Sequence, residues 1–513
     1  MIRSFLTVFS GTLASRLLGF LRDSMIAALL GAGPVADAFL AAFQLVNIAR
    51  RLLSEGALNA ALVPAWLRLR EADAAAAAAF AGRVLGTISA ALFAAAILIG
   101  FLMPLVIALL APGFAGETVH LAVTNARLML PYLAFAGPAA VLLALASAQG
   151  RFFLTAFSPL LFNITLIAVM TALFIVPREP GIVALALAAT VGTAGFLQLA
   201  ILVLSRGEHL AAPLRISFDA EMRGFLARAI PGMVASSAPQ LLIVAGAIIA
   251  SSSPSAVSWL YFANRLIELP LGIVGVAMGT VMIPELTRAV QGGDKSLIAS
   301  AESRALELAV GLALPATLGL IALREPIVRL LFEHGAFTAA DTQSTSRALM
   351  WLAIGLPAHV LVKALAPAFF AREDTMAPLL ATLNAFLVAI VLAVLLGHFF
   401  GASGIAASIA LGAWSNALSL IRLGSTAFGF SLDQAARRRL PRIVAAALVM
   451  GCLLWLATPF MPGGHAHRLA QAVVLLVLIG VAIAAYGGLL ATLQVTPWRE
   501  LVNAIRPPRD LRS

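Results

Sequence analysis

The sequence predicts an all-α, polytopic membrane protein of about fourteen transmembrane helices, and three observations predict it. Of its 513 residues, 61% are hydrophobic and 11% charged, whereas a soluble globular domain is about 45–50% apolar and about 25% charged. Mean hydropathy is +1.01, carried by apolar runs of about 20 residues between polar or Gly/Pro breaks, the length a helix needs to cross the hydrocarbon core. Basic residues then alternate from one connection to the next in the manner that orients membrane helices. A water-soluble fold is excluded, and no stretch remains for a large soluble domain.

The spans follow in order. The first, 8–30, is interrupted by Gly11 and Gly19 and carries Arg16, Arg22 and Asp23; the turn Gly31-Ala32-Gly33 links it to the second, 36–58, with Asp37, Asn47, Arg50, Arg51 and Glu55. Runs at 80–110, 119–148, 155–176, 181–205 and 222–251 complete the first seven. The eighth, 257–289, holds Arg265 and Glu268; 299–323 and 344–370 follow, the latter with Lys363. The last four are 378–398, 402–421, 440–460 and 467–493. The first, second and eighth carry internal charges that depress any hydropathy window. No signal peptide is expected, because the N-terminus runs straight into the first span.

Lys+Arg is 34 against Asp+Glu 23, a net charge of +11. Loop orientation accounts for that excess better than nucleic acid does, since nothing outside the membrane is long enough to fold into a binding module. One set of connections holds Arg3, Arg68, Arg70, Arg151, Arg206, Arg215, Arg288, Lys295, Arg372, the cluster Arg437, Arg438, Arg439 and Arg442, and Arg499, Arg506, Arg509 and Arg512. The alternate set holds little beyond Arg178, Arg324, Arg329 and Arg468. Both termini are therefore expected inside, with an even number of spans. The single cysteine, Cys452, excludes a disulfide framework.

The chain also carries a weak internal repeat. The stretch from Gly56 through Pro64 to Arg68 resembles that from Val276 through Pro284 to Arg288, and Arg151 with Ser158-Pro159-Leu160-Leu161 resembles Arg372 with Ala377-Pro378-Leu379-Leu380. The offset covers six spans, so both copies share one membrane orientation. They would form two six-helix lobes related by a pseudo-two-fold along the membrane normal, with the substrate between them. The expected organisation is 1–218 for the N-lobe, 219–432 for the C-lobe, and 433–513 for two extra helices and a basic tail.

Charges inside spans are the candidate functional residues. Each costs about 2.5–3.5 kcal/mol at mid-bilayer on insertion scales, so they face a shared polar interior or an interface. Structural pairing is one reading: Asp37 with an arginine, or Arg265 with Glu268 one turn away. Across the first two spans, however, four arginines face two aspartates. A buried cationic surplus calls for an anion, and the planar guanidinium fork suits phosphate. No HExxH, Gly-x-Ser-x-Gly elbow or phosphate loop occurs, which argues against an enzyme. His465 and His467, in a Gly-rich loop, form the one place where a metal comes into consideration.

The residues that carry these charges resemble a known family. They comprise Ser15 to Asp23, Gly31-Ala32-Gly33, Ala36 to Phe39, Asn47 to Ala57, Trp259 to Leu266, Gly275 to Thr280, Phe332 to Thr338 with Asp341-Thr342, and Lys363 to Pro367. Together they look like the MurJ (MviN) family of lipid II flippases, over nearly the whole chain and weakening after about residue 440. The resemblance implies a multidrug/oligosaccharidyl-lipid/polysaccharide exporter fold and alternating access. It also implies movement of an undecaprenyl-pyrophosphate-linked disaccharide-pentapeptide across the bacterial inner membrane for peptidoglycan synthesis. By that resemblance Arg16, Arg22, Arg50 and Arg265 would hold the pyrophosphate in a central cavity. Asp23, Asp37, Asn47, Glu55, Glu268 and Lys363 would support or gate them, and the last two helices would form a groove for the lipid tail. Gln44 stands where some relatives carry Lys, and Asn264 where some carry Asp. No cofactor is expected; the membrane potential or an ion gradient would drive transport. Lipid II, membrane lipids and the cell-wall synthesis machinery are the expected partners of a monomer, with no nucleic acid. Two other readings stand beside this one: an exporter of another polyprenyl-linked oligosaccharide or of drugs, and a non-transporting assembly scaffold.

Overall fold

A computed structural model describes residues 2–54, 57–176, 178–205, 214–236, 246, 248–278, 282–372, 374–461 and 468–495. Glu55, His465, His467 and the basic C-terminal tail lie outside the described residues. Among those described there are seventeen α-helices, one 3₁₀ turn and no strand. They are α1 (Ile2–Leu30), α2 (Pro34–Ser54), α3 (Ala57–Ala72), α4 (Ala74–Leu110), α5 (Glu117–Met129), α6 (Pro131–Ala148), α7 (Phe152–Ile175), α8 (Pro180–Leu204) and α9 (Ala220–Ser236). There follow α10 (Ala256–Ala277), α11 (Ile283–Gly292), α12 (Lys295–Ala322), α13 (Arg324–Phe332), α14 (Ala339–Phe370), α15 (Met376–Phe428), α16 (Gln434–Ala457) and α17 (Arg468–Thr492).

Aspartates mark several helix starts. Asp73 accepts a hydrogen bond from Ala75 N at the head of α4, Asp294 from Ser296 N and Leu297 N at the head of α12, and Asp433 from Ala436 N at the head of α16. Each side chain satisfies amide groups that the first helical turn leaves unbonded. The Ser296 hydroxyl, then the amides of Ser296 and Leu297, hold the exposed Asp294 carboxyl below its ordinary range.

Among the described residues, nine helical stretches are long and apolar enough to cross a membrane, from Ala74–Leu110 to Arg468–Thr492. The charged α1, α2 and α10 fall outside that group, as their composition foreshadows. The fourth expected span is two helices, because Pro131 has no N–H to continue the ladder past Leu130. The eleventh and twelfth run as one 53-residue element, α15, broken at Gly401, whose φ of 55° and ψ of −136° are non-helical. Beyond the break the two arms run antiparallel. Asn384 Nδ2 donates to Ser415 Oγ at 3.3 Å, Asn416 Nδ2 to Thr382 Oγ1 at 3.4 Å, and Gly412 lies against Ala389. The short α13 lies in a connection the sequence reading left without structure.

The chain divides into two compact units, Met1–Tyr261 with Phe332–Asp341, and Phe262–Leu331 with Thr342–Ser513. In the first, buried aromatics form the centre: Phe39 stacks on Phe43 at 5.7 Å, and Tyr132 meets Phe162 edge-on at 5.4 Å. Phe332–Asp341 reaches this unit by backbone contact. Ala336 N donates to Ala28 O at 2.8 Å, and Gly335 (φ 57°) passes so close to the Ala28 carbonyl that a Cβ would collide with it.

In the second unit, Leu306, Leu365, Phe369, Ala381 and Leu420 pack together. Arg372 stacks on Phe428 at 3.8 Å and donates to Glu302 at 3.0 Å. α16 packs along α12 in the same direction, Leu318 meeting Gly451 and Gly319 meeting Leu454. Tyr486 of α17 donates to Gly311 O at 2.9 Å, so both C-terminal helices seat on α12.

Candidate substrate-binding site

The first unit gathers most of the expected site residues. On α1, Arg22 and Asp23 are 4% and 0% exposed, a depth at which an unpaired charge would be costly. Arg22 Nε and Nη2 both donate to Asp23 Oδ1, at 2.9 and 2.7 Å, and Nη1 donates to Asn163 Oδ1 at 2.9 Å. Asn163, on α7, is itself fixed by donating to Ser15 O at 3.2 Å. Tyr261 also donates to Asp23 Oδ1, at 3.3 Å. The guanidinium lies 5.0 Å from the Phe43 ring and 5.8 Å from the Phe162 ring, distances at which a desolvated cation gains from the ring face.

Arg50 comes to the same ring from α2. Its guanidinium is 5.8 Å from Phe162, and its Nη2 donates to Asn47 Oδ1 at 3.4 Å, one turn back. Two of the expected anion-binding arginines therefore share Phe162. Arg16 is half-buried on α1, two turns before Asp23 and on the same face of the helix.

Asp37 does something else. Buried at 2% exposure near the start of α2, its Oδ1 accepts from Ser258 N at 2.8 Å and from the Ser258 hydroxyl. Ser258 N belongs to the first turn of α10, so Asp37 caps that helix from another element. The alternative pairing of Asp37 with an arginine is thus replaced by a helix cap among the described residues. Next to it, Trp259 Nε1 donates to Asp341 Oδ1 at 3.0 Å. Asp341 Oδ2 accepts from Thr338 N at 2.9 Å while Thr338 Oγ1 accepts from Asp341 N at 3.3 Å, a reciprocal capping box that starts α14.

The second unit holds the remainder. Arg265 Nη1 bonds Glu268 Oε2 at 2.8 Å, one turn along α10 and half-buried, so the structural pairing weighed from sequence is present. Lys363 Nζ reaches α10 from α14, 3.5 Å from Leu271 O, and a Cβ at Gly275 would stand 3.1 Å from that nitrogen. Leu271 and Gly275 lie one and two turns past Glu268 on its side of the helix, so all three charges fall along one stripe of α10.

Sequence reasoning missed Asn163, Phe162, Phe43 and Ser258. Asn163 alone left a signal, a side-chain amide within the apolar run of α7; the rings and the serine are ordinary residues for a span.

The family model described as "Lipid II flippase MurJ" matches residues 26–475. A "Probable lipid II flippase MurJ" from Rhizobium meliloti (strain 1021) is 37% identical over 498 residues, covering 95% of this chain and 92% of that protein. A solved "Lipid II flippase MurJ, inward closed conformation" superposes with a TM-score of 0.79 at 24% identity, covering 98% of this chain and 100% of that one. An inward-facing multidrug resistance MATE family transporter of the MOP superfamily gives 0.65 at 17% identity, over 84% and 95% of the two chains. Those two structural matches bear on the fold alone.

Proposed function

The chain belongs to the lipid II flippase MurJ family, and from that premise we propose how its side chains serve transport. It is a membrane transporter of lipid II, the lipid-linked precursor of peptidoglycan. In our reading it spans the bacterial inner membrane with both termini inside and acts as a monomer without cofactor or catalytic centre. Residues 1–218 and 219–432 act as lobes and 433–513 as a tail groove.

The observation that carries the site assignment is the convergence of Arg22 and Arg50 on Phe162, while Asp37 is turned to Ser258 rather than to an arginine. Of the two aspartates on the first two spans, Asp23 is then the one beside an arginine, and the formal charge of α1 and α2 stays positive. A diphosphate satisfies such a surplus, since guanidinium groups bind phosphate oxygens through two parallel N–H bonds. Arg16, Arg22, Arg50 and Arg265 would hold the diphosphate. Asp23 and Asn163 fix the rotamer of Arg22, Asn47 steadies Arg50, and Glu268 and Lys363 set the charge along α10; Glu55 stays with this group by sequence. Alternation between inward- and outward-open states follows only if the cargo binds them with different affinity.

The test is complementation in cells depleted of their own flippase. Arg22→Ala and Arg265→Ala should each abolish growth at normal protein level, and restoring the unaltered chain should make accumulated lipid II accessible outside. Normal growth of both variants would overturn the site.

A further inference from the structure

The C-terminal ends of α12 and α16 and the N-terminal end of α17 meet at one end of the second unit. They enclose, with α13, a cavity of about 340 Å³. Its polar lining is Arg324, Glu325, Arg329, Thr458 and Gln471, with Trp455 at the edge. Leu330 and Leu475 supply apolar wall. This belongs to the set of connections that is otherwise nearly free of arginine, so two guanidinium groups here run against the trend.

The two differ in their partners. Arg329 pairs with Glu325 one turn back on α13, which leaves that pair neutral. Arg324 instead donates from Nη1 to Ile321 O at 2.9 Å, one of the last carbonyls of α12. That bond fixes the guanidinium without neutralising it, and no carboxylate among the described residues lies within ion-pair distance of Arg324. The cavity is therefore net cationic.

From its rim the surface continues as exposed apolar side chains: Trp455 and Leu456 at 67% and 58%, Phe460 at 87%, and Leu469 and Leu476 on α17 at 69% and 68%. A tryptophan where spans end is the usual mark of the headgroup level. A free anion would satisfy the arginine but engage none of the apolar rim, which at the headgroup level faces lipid. A lipid satisfies both, its phosphate on Arg324 and its acyl chains along α16 and α17.

We propose that this cavity binds the phosphate headgroup of a membrane phospholipid, using none of the side chains assigned to the cargo's diphosphate; its acyl chains lie on the same C-terminal helices that are read above as the tail groove. Full-length protein, delipidated in micelles, is titrated with phosphatidylglycerol and bound lipid is read by native mass spectrometry. Arg324→Gln, which keeps an amide donor for Ile321 O, should weaken retention about tenfold, the loss expected for one charge-assisted hydrogen bond. Arg324→Lys should restore part of it, and Arg223→Gln, on the exposed face of α9, should change nothing. Diacylglycerol should bind at least about tenfold more weakly than phosphatidylglycerol, and millimolar inorganic phosphate should not displace the lipid. Equal retention by Arg324→Gln and the unaltered chain overturns the site. Equal binding of diacylglycerol overturns the phosphate assignment, and displacement by inorganic phosphate overturns the lipid. Arg324→Gln should still support growth in flippase-depleted cells, which separates this cavity from the transport reading.

Discussion

Arg22 shows how a single buried charge is made tolerable. Its three nitrogens are shared between Asp23 and Asn163, and two aromatic faces cover the plane. Removing one acceptor while leaving the cation buried exposes the desolvation cost of the lost bond, about 1–3 kcal/mol. Asn163→Leu should therefore lower thermal stability in detergent by about that amount and reduce growth support, because the guanidinium is no longer aimed. Asn163→Gln, which retains an amide, should recover part of both; unchanged stability in Asn163→Leu would show that the contact is idle. The charges of this cluster were legible in the sequence because an ionised group inside a span is expensive enough to need a reason. Its aromatic members and Ser258 were not, and Asn163 left only the trace of an amide in an apolar run. A phenylalanine in a span costs nothing to place, and Ser258, which meets Asp37 through both its amide and its hydroxyl, is an ordinary residue for a helix start.

At the scale of elements, the reading of apolar runs and breaks parted 378–398 from 402–421, where Gly401 bends the chain, but ran 119–148 together across Pro131, which lacks the N–H to continue the ladder. Pro131 and Asp433 mark the starts of α6 and α16, which the apolar runs 119–148 and 440–460 did not register. Gly401 is one glycine among 40, yet it alone turns α15 back on itself, in a conformation that side chains with a Cβ avoid at a cost of about 1–3 kcal/mol. Gly401→Val should destabilise the folded protein in that range, measured by chemical unfolding in micelles, while Gly480→Ala on α17, where added bulk meets open space, should be nearly silent. The amphipathic α13 went unseen because nine residues between two long apolar runs look like a connection.

For the whole molecule, the apolar content and the alternation of basic loops fixed the class at once, because both express the cost of placing polar groups in hydrocarbon. Energetics follow at the same scale. If a diphosphate crosses the membrane with uncompensated charge, the potential contributes about 2.3 kcal/mol per elementary charge per 100 mV. Collapsing the potential with valinomycin and potassium should then slow appearance of lipid II on the outside in vesicles bearing this chain. Export unaffected by valinomycin would mean that charge crosses compensated.

Allegiance of Phe332–Asp341 had no local signature, since its partner Ala28 lies about 300 residues earlier in the sequence. During synthesis the first span leaves the ribosome long before Gly335 and Ala336 exist, an interval on the order of tens of seconds at ordinary elongation rates. Until then the end of α1 has no mate for the Ala28 carbonyl, and the amino-terminal unit waits incomplete in the translocon's neighbourhood. Two co-produced fragments severed between Tyr261 and Phe262 would leave that missing piece on the wrong polypeptide, and would have to trade it across to mature.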